Sequence, residues 1–213
     1  MLFRSDGIPV PPLEPMQQLR AQASSAGVRW TTVQREDVAV LDEVLIRVLH
    51  PVIPDWERQD VRNDDSIVLE LRWRNVSVVF PGDIGREAEA QVAGLFGASP
   101  LRVLKVPHHG SRTSSSDDLI RALSPAVAVV SVGRGNGFGH PAPQVLQRYQ
   151  GAGAVVFRTD EDGAVTIDSD GESLDVRTFT GARLHLGVSW QGVPAPAGPG
   201  ARKQDGWYSA HHS

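Results

Sequence analysis

A nearly continuous apolar run at residues 126–132 limits the folds open to this chain more than any other feature. Such a run predicts a strand that is buried on both faces, as in the parallel sheets of α/β proteins. The apolar periodicity predicts further strands at residues 66–71, 76–80 and 101–106 and helices over residues 86–96 and 116–123. We therefore expect a mixed α/β fold in which strands precede helices and polar loops follow the strands.

The length and composition are those of one globular domain followed by a tail. With 213 residues, 40% of them hydrophobic, the chain can bury a sizeable core. We predict a domain over residues 1–180. Residues 181–213 contain a stretch rich in Pro, Ala and Gly, and we predict a disordered tail there.

The charge and the cysteine content restrict which ligands this chain can bind and which residues can hold a metal ion. The formal net charge is −4, so a nucleic-acid ligand would need a metal ion or a local cluster of positive charge. Because there is no cysteine, any metal must be held by His, Asp or Glu. There is neither a signal peptide nor an apolar run of about 18 residues. We therefore expect a soluble, cytoplasmic chain when it is taken alone.

Asp83 follows the second strand of a predicted hairpin directly, in the segment Pro81-Gly82-Asp83. A carboxylate in that position is held firmly, and Gly82 lets the backbone turn closely around a ligand. Asp83 is therefore a candidate metal ligand. The alternative is an ordinary turn residue or the N-cap of the next helix.

His108 and His109 lie at the end of the next predicted strand and are followed by Gly110. Adjacent imidazoles there can have different roles, one coordinating a metal ion and the other orienting it or contacting substrate. The hydroxyl-rich segment after them contains candidate phosphate contacts, Ser111, Thr113 and Ser114. The alternative is a serine-rich loop with two exposed histidines.

Asn136 and His140 lie in the glycine-rich loop after residues 126–132. His140 is a candidate metal ligand, substrate contact or general acid, and Pro141 suits the first turn of a helix. The alternative is a simple strand-to-helix loop. Because all three loops follow strands, we expect them to share one site, whose one Asp and up to three His suit Zn²⁺ or Mn²⁺.

The residues and the order of these segments resemble those of the metallo-β-lactamase-type domain of ComEC-type competence proteins. The resemblance covers about residues 13–179. The segments that carry it are Asn63-Asp64-Asp65-Ser66, Pro81-Gly82-Asp83, Pro107-His108-His109-Gly110-Ser111, Asn136 with Gly139-His140-Pro141, and Arg158-Thr159-Asp160. The two histidine segments at this spacing are the specific part of the signal.

The resemblance implies the late half of an αββα sandwich and hydrolysis of phosphodiester bonds in DNA, in single-stranded form during uptake. It implies that Asp83 and His108 are metal ligands, that His109 and His140 are catalytic, and that Ser111, Thr113, Ser114 and Asn136 contact substrate. It also implies attachment to a membrane channel protein.

One departure from the family is large. The fold normally supplies most of its ligands through a His-x-His-x-Asp-His motif, and this sequence contains none. We therefore expect an N-terminally truncated domain, either a fragment or remnant or a chain completed by a partner, with weak or absent metal binding. An incomplete domain would leave apolar surface and strand edges open, so we also expect marginal folding or self-association.

Three functions are compatible with these residues. The first is a metal-dependent nuclease or phosphodiesterase that acts on DNA. The second is a non-catalytic accessory or remnant of DNA uptake. The third is a hydrolase of another small ester or phosphoester on the same fold, because a fold does not fix a substrate.

Overall fold

The computed structural model describes residues 3–6, 14–52, 62–188 and 208–209. Its strands are β1 (Phe3–Asp6), β2 (Arg29–Thr32), β3 (Val38–Leu41), β4 (Val44–His50), β5 (Val68–Trp73), β6 (Val76–Phe80), β7 (Leu101–Lys105), β8 (Val127–Val130), β9 (Val155–Arg158), β10 (Val165–Ser169), β11 (Ser173–Thr178), β12 (Arg183–Gly187) and β13 (Tyr208–Ser209). Its α-helices are α1 (Glu14–Ser25), α2 (Arg86–Val92), α3 (Asp117–Leu123), α4 (Pro143–Gly151) and α5 (Thr159–Asp162). Short 3₁₀ turns lie at Asn63–Asp65, Ala93–Leu95 and Pro107–Gly110.

The strands form a large mixed sheet and a smaller sheet. In the seven-stranded sheet the strand order is β3-β4-β5-β6-β7-β8-β9, with antiparallel pairing up to β6 and parallel pairing from β6 to β9. The four-stranded sheet has the order β10-β11-β12-β13, and β1 pairs with β2 separately. This confirms the predicted α/β class and the predicted hairpin of β5 and β6.

Two apolar clusters hold the layers together. One lies between helices α2, α3 and α4 and one face of the large sheet, and includes Val79, Leu104 and Tyr149. The other lies between the two sheets and includes Leu101 and Leu186. The order is therefore helices, large sheet, small sheet, which supplies three of the four layers of the predicted αββα sandwich.

The helices begin where their sequences predict. The side chain of Ser116 caps α3 by accepting a hydrogen bond from the backbone N–H of Leu119 at 3.3 Å. Asp117 and Asp118 occupy the first turn, where negative charge stabilises a helix. In α4 the proline of the first turn is Pro143, two residues later than the predicted Pro141.

The ordered domain extends past the boundary predicted at residue 180. Strand β12 pairs with β11, and its Leu184 and Leu186 are buried between the sheets. Most of the remaining predicted tail, residues 189–207 and 210–213, lies outside the described residues. Across the part of the chain that is described, no helix has the length and apolar character needed to cross a membrane.

Candidate functional site

The polar loops that follow three neighbouring strands meet at one edge of the large sheet. Strands β6, β7 and β8 are parallel and adjacent, so their carboxyl ends lie side by side. The loops after them carry Asp83, the pair His108 and His109, and His140. The expected convergence of these loops is therefore present in the fold, at the place where open α/β sheets bind ligands.

The turn at Gly82 fixes the position of Asp83. Gly82 has a φ of +63°, and a Cβ atom there would lie 2.5 Å from the Cβ of Ser66, so only glycine fits. The hydroxyl of Ser66 accepts a hydrogen bond from the Asp83 backbone N–H at 3.1 Å. The N-cap of α2 is Gly85, so the alternative role of Asp83 as a helix cap is excluded.

His109 faces Asp83. Its Nδ1 lies 2.7 Å from the carbonyl oxygen of Ser131, and this contact makes Nδ1 the protonated nitrogen of the neutral ring. Its Nε2 lies 3.5 Å from Oδ2 of Asp83. The backbone contact of one ring nitrogen thus orients the other nitrogen towards the carboxylate, as is common for metal-binding histidines.

The ring of His108 contacts Asn63. Its Nε2 lies 3.3 Å from the side-chain nitrogen of Asn63. Both histidines adopt left-handed backbone conformations, with φ of +48° at His108 and +54° at His109, so the chain turns sharply between them. We predicted His108 as the metal ligand beside Asp83, and that role stays a prediction. Of the two rings, it is that of His109 that contacts the Asp83 carboxylate, at 3.5 Å.

Lys105 is a member of the site that the sequence analysis did not single out. Its Nζ lies 3.8 Å from Oδ1 of Asp83, at the last position of β7. Burial lowers the pKa of Lys105, and the negative charge of Asp83 acts in the opposite direction. The ammonium group therefore partly neutralises Asp83 and competes with any cation that approaches it.

His140 lies close to two other rings of the site, those of His108 and Phe138. Its ring lies 5.9 Å from the ring of His108, edge to face, and 6.0 Å from the ring of Phe138, nearly parallel. Burial lowers the pKa of His140, and the nearby His108 and His109 lower it further. The imidazole is therefore mainly neutral at pH 7 and can accept a proton.

The predicted substrate contacts divide into two groups. Ser114 is fully buried, and its hydroxyl donates to the carbonyls of Pro107 and Ser111. The amide of Asn136 is bonded to the backbone of its own loop. Both side chains therefore hold loops in place. The hydroxyl of Ser111, itself buried, contacts that of Thr113 at 3.1 Å, and only Thr113 is exposed.

Two carboxylates, those of Glu89 and Asp64, brace these loops, and neither was among the predicted site residues. The carboxylate of Glu89 is fully buried and accepts the backbone N–H groups of Ser115 and Ser116, just after the histidine loop. The carboxylate of Asp64 accepts the N–H of Gly85 at 2.5 Å, after the Asp83 turn. Glu89 lies three residues before the buried Val92 in α2, and this helical spacing was the one available sign that it faces inward.

Two cavities flank the histidines. One, of about 600 Å³, is lined by Arg62, Arg86, Arg112, Thr113, His108 and neighbouring residues. The other, of about 330 Å³, is lined by His109, Asn136, Phe138, His140 and neighbouring residues. Three arginines and the one carboxylate of Asp64 line the first cavity, which therefore has the local positive charge that the acidic chain as a whole lacks.

The donor set fits a metal ion only in part. Two ligand atoms about 2.0–2.2 Å from one tetrahedral zinc ion lie roughly 3.4 Å apart, and Asp83 Oδ2 and His109 Nε2 are 3.5 Å apart. A catalytic zinc ion normally takes three protein ligands. No group of three or more His, Asp or Glu side chains among the described residues could hold a metal ion. The chain thus presents two donors and lacks a third in that part of the structure.

The fold and site define a class of protein, an α/β domain with its polar site at the carboxyl edge of parallel strands. Comparison with known proteins gives the family. The chain is 35% identical over 153 residues to ComE operon protein 3 of Bacillus subtilis, an alignment that covers 71% of this chain and 19% of that protein. It is 35% identical over 111 residues to Competence protein ComA of Neisseria gonorrhoeae, covering 51% and 16%. The chain is a ComEC-type domain, as the motifs predicted.

The matched region is a small part of each relative. The chain spans less than a fifth of the length of the curated relatives it matches, including Recombination protein 2 of Haemophilus influenzae, at 31% identity over 115 residues and 14% of that protein. No family model matches the chain. A solved structure from Thermotoga maritima, assigned to the metallo-β-lactamase superfamily, aligns over 56% of this chain and 59% of its own, at a TM-score of 0.36 and 13% identity. Likeness at that level adds nothing to the assignment.

Proposed function

We propose that this chain is a hydrolase-type domain that acts on DNA, a phosphodiesterase that degrades a DNA strand during uptake. The observation that carries the proposal is the donor pair of Asp83 and His109, 3.5 Å apart, at the sheet edge. The arginine-lined cavity beside it suits a phosphate backbone. The names of the relatives, which refer to competence and recombination, support DNA as the polymer.

Each residue then has a distinct part. Asp83 and His109 would hold one side of a divalent metal ion, Zn²⁺ or Mn²⁺, which when bound would supply Lewis-acid activation of the phosphodiester. Arg62, Arg86 and Arg112 would bind phosphate groups. His140, mainly neutral at pH 7, would accept a proton near the reacting group.

The setting of the domain is also part of the proposal. By its resemblance to the ComEC-type proteins, we place the domain beside a membrane channel protein, so that the strand it meets is single-stranded. The relatives are four or more times longer than the matched region, which leaves room for such a channel within them.

One observation favours a second candidate, a non-catalytic DNA-binding accessory of uptake. Lys105 lies 3.8 Å from Asp83 and neutralises part of the charge that a cation would need. With only two donors among the described residues, the site would bind a metal ion weakly. DNA binding in the arginine-lined cavity does not depend on that ion.

Metal titration tests the proposal most directly. Binding of Mn²⁺ and of Zn²⁺ is measured by isothermal titration calorimetry on the full chain with His211 and His212 replaced by alanine, which removes a background site. The same measurement is made on Asp83→Asn, His109→Gln and His108→Gln. His108→Gln is a matched control, because the adjacent ring faces Asn63 and not Asp83. We expect weak but stoichiometric binding that Asp83→Asn and His109→Gln abolish and His108→Gln retains.

A cleavage assay then separates the two candidates. A fluorescein-labelled single strand is incubated with the chain and Mn²⁺, and the products are resolved by electrophoresis. Cleavage that disappears in Asp83→Asn supports the phosphodiesterase. Salt-sensitive binding without cleavage supports the accessory. Equal metal affinity in all variants, with no DNA binding, would overturn both.

A further inference from the structure

Phe138 is an aromatic side chain that the site exposes to water without an evident structural reason. Its exposed fraction is 85%, although it lies only two residues from His140 in the loop after β8. A single exposed apolar side chain is common on a protein surface, so it is the position of this ring that matters. The ring also lines the 330 Å³ cavity with His109 and His140, so it belongs to the site and not to a remote surface.

The loop holds this ring in one place. The side-chain amide of Asn136 donates to the carbonyls of Gly133 and His140 and accepts the backbone N–H of His140. These three bonds bracket Phe138 on both sides in the sequence. A ring on a braced loop can meet a ligand with little loss of conformational entropy.

One face of the ring lies towards His140 and the other faces solvent. The ring of Phe138 lies nearly parallel to that of His140, at 19° and 6.0 Å between centroids. With 85% of the residue exposed, the opposite face is available for a planar partner. The cavity volume of 330 Å³ is within the range of sites that take small planar ligands.

The charges around the histidines indicate which planar partner fits. His140 also contacts His108, which lines the cavity that contains Arg62, Arg86 and Arg112. The histidine cluster therefore separates a cationic cavity from an aromatic one. Proteins that bind single-stranded nucleic acid combine a positive groove for the backbone with aromatic rings on which bases stack.

We propose that Phe138 is a stacking platform for one unpaired base of a single-stranded nucleic acid whose phosphates lie in the arginine-lined cavity. The inference rests on the proposed DNA-binding function and adds to it a reason for preferring single strands. In a duplex both faces of each base are covered by its neighbours, so a fixed ring has no open face to stack on. Phe138 is a specificity residue in this scheme, because it contacts the base and not the phosphodiester.

The test uses binding without cleavage. Fluorescence anisotropy measures the affinity of the full chain for a fluorescein-labelled dT₁₂ strand, an abasic strand of equal length and the dT₁₂–dA₁₂ duplex, all in EDTA. The variants are Phe138→Ala, Phe138→Trp and Phe179→Ala. Phe179 is a matched control, because it is exposed to the same extent, 85%, in the turn between β11 and β12.

We expect Phe138→Ala to bind dT₁₂ about 5- to 100-fold more weakly, the range for loss of one stacked base, and Phe138→Trp to restore the affinity. The abasic strand should bind the native chain and Phe138→Ala equally, and Phe179→Ala should behave as the native chain does. If the native chain and Phe138→Ala bind dT₁₂ equally well, Phe138 is not a stacking platform, and the DNA-binding function stands. If the native chain binds none of the three ligands, both the platform and DNA binding are overturned.

Discussion

The two ends of the seven-stranded sheet differ in how completely their strands are covered. In the parallel half, β7 and β8 are buried on both faces, and the loops that follow them are braced by buried polar groups such as Glu89. At the antiparallel end, edge strand β3 leaves Val38, Val40 and Leu41 exposed by 60%, 68% and 64%. The first end carries the candidate site, and the second leaves these apolar side chains mostly exposed.

The difference shows that one half of this sheet can hold side chains rigidly, whereas the strand at its other end is left uncovered. A site needs side chains held within a fraction of an ångström, which the covered half supplies through packing and satisfied hydrogen bonds. An open apolar edge supplies no such constraint and instead offers unpaired backbone groups to another strand. Perturbations inside the covered half should therefore change stability strongly, and those at β3 should change association.

The largest effect is expected from the buried charges that join β5 to strand β7 of the covered half. Glu70 is fully buried and binds Arg47 at 2.8 Å and the hydroxyl of Ser77 at 2.9 Å, with Arg102 at 3.7 Å. Glu70→Ala would leave Arg102 buried without its counter-charge. We expect the free energy of unfolding to fall by about 3–5 kcal/mol, measured by urea denaturation.

Glu70→Gln is the control for this prediction, because it keeps the volume and part of the hydrogen bonding while removing the charge. It should cost less than Glu70→Ala does. A loss below about 1 kcal/mol for the alanine variant would mean that water reaches Arg102, and the contrast between the two ends of the sheet would weaken.

The brace of the histidine loop should give the next largest effect. Glu89→Ala would leave the backbone N–H groups of Ser115 and Ser116 without their carboxylate partner. We expect a loss of about 2–3 kcal/mol and faster hydrogen exchange at both amides. Glu87→Ala, on the exposed side of the same helix, should change neither quantity. Equal effects of the two variants would show that the brace is not specific.

The buried end of β4 makes stability depend on pH. Burial lowers the pKa of His50 below its ordinary value of 6.5, so the unfolded chain takes up a proton at a higher pH than the folded chain does. The contribution of His50 is present above about pH 6.5 and is lost as pH falls below it, by at most about 1.4 kcal/mol per pH unit. Denaturation between pH 7 and 5 should show this slope, and His50→Gln should flatten it.

Much of the fold follows from local patterns, and the exceptions have physical reasons. The hairpin of β5 and β6, strand β7 and helix α3 are signalled by apolar periodicity and by the cap at Ser116. Strand β3 was missed, because an exposed edge strand that is apolar on both faces shows no alternation. Strand β12 was missed, because only Leu184 and Leu186 mark its buried face, and its partner β11 lies on the other side of a turn.

The candidate site was predictable only as a meeting of loops. Parallel adjacent strands bring Asp83 and the histidines to one edge, and this follows from topology. Which histidine faces Asp83 depends on two left-handed φ angles, and side-chain type does not reveal these. The arginine-lined cavity draws Arg62, Arg86 and Arg112 from three separate segments, so no sequence window contains it.

The smallest effect on stability, and the sharpest contrast with the covered half, is expected at β3. Val40→Lys adds a charge to an edge side chain that is already 68% exposed, so the free energy of unfolding should change by less than about 0.5 kcal/mol. We predict that the native chain self-associates through this edge and that the lysine abolishes the association, because a charge on an open edge opposes strand addition. Sedimentation velocity over a concentration series measures both.

Salt refines this prediction. Antiparallel pairing of two β3 strands in register would bring Asp37 of one copy opposite Asp42 of the other, so the association should strengthen as salt screens that repulsion. Thr166→Lys on β10, the polar edge of the smaller sheet, is the control and should leave the sedimentation profile unchanged. A native chain that stays monomeric and unfolds in one sharp transition would contradict self-association. It would mean that the exposed valines of β3 are tolerated in water, as scattered surface apolar residues are in many monomers.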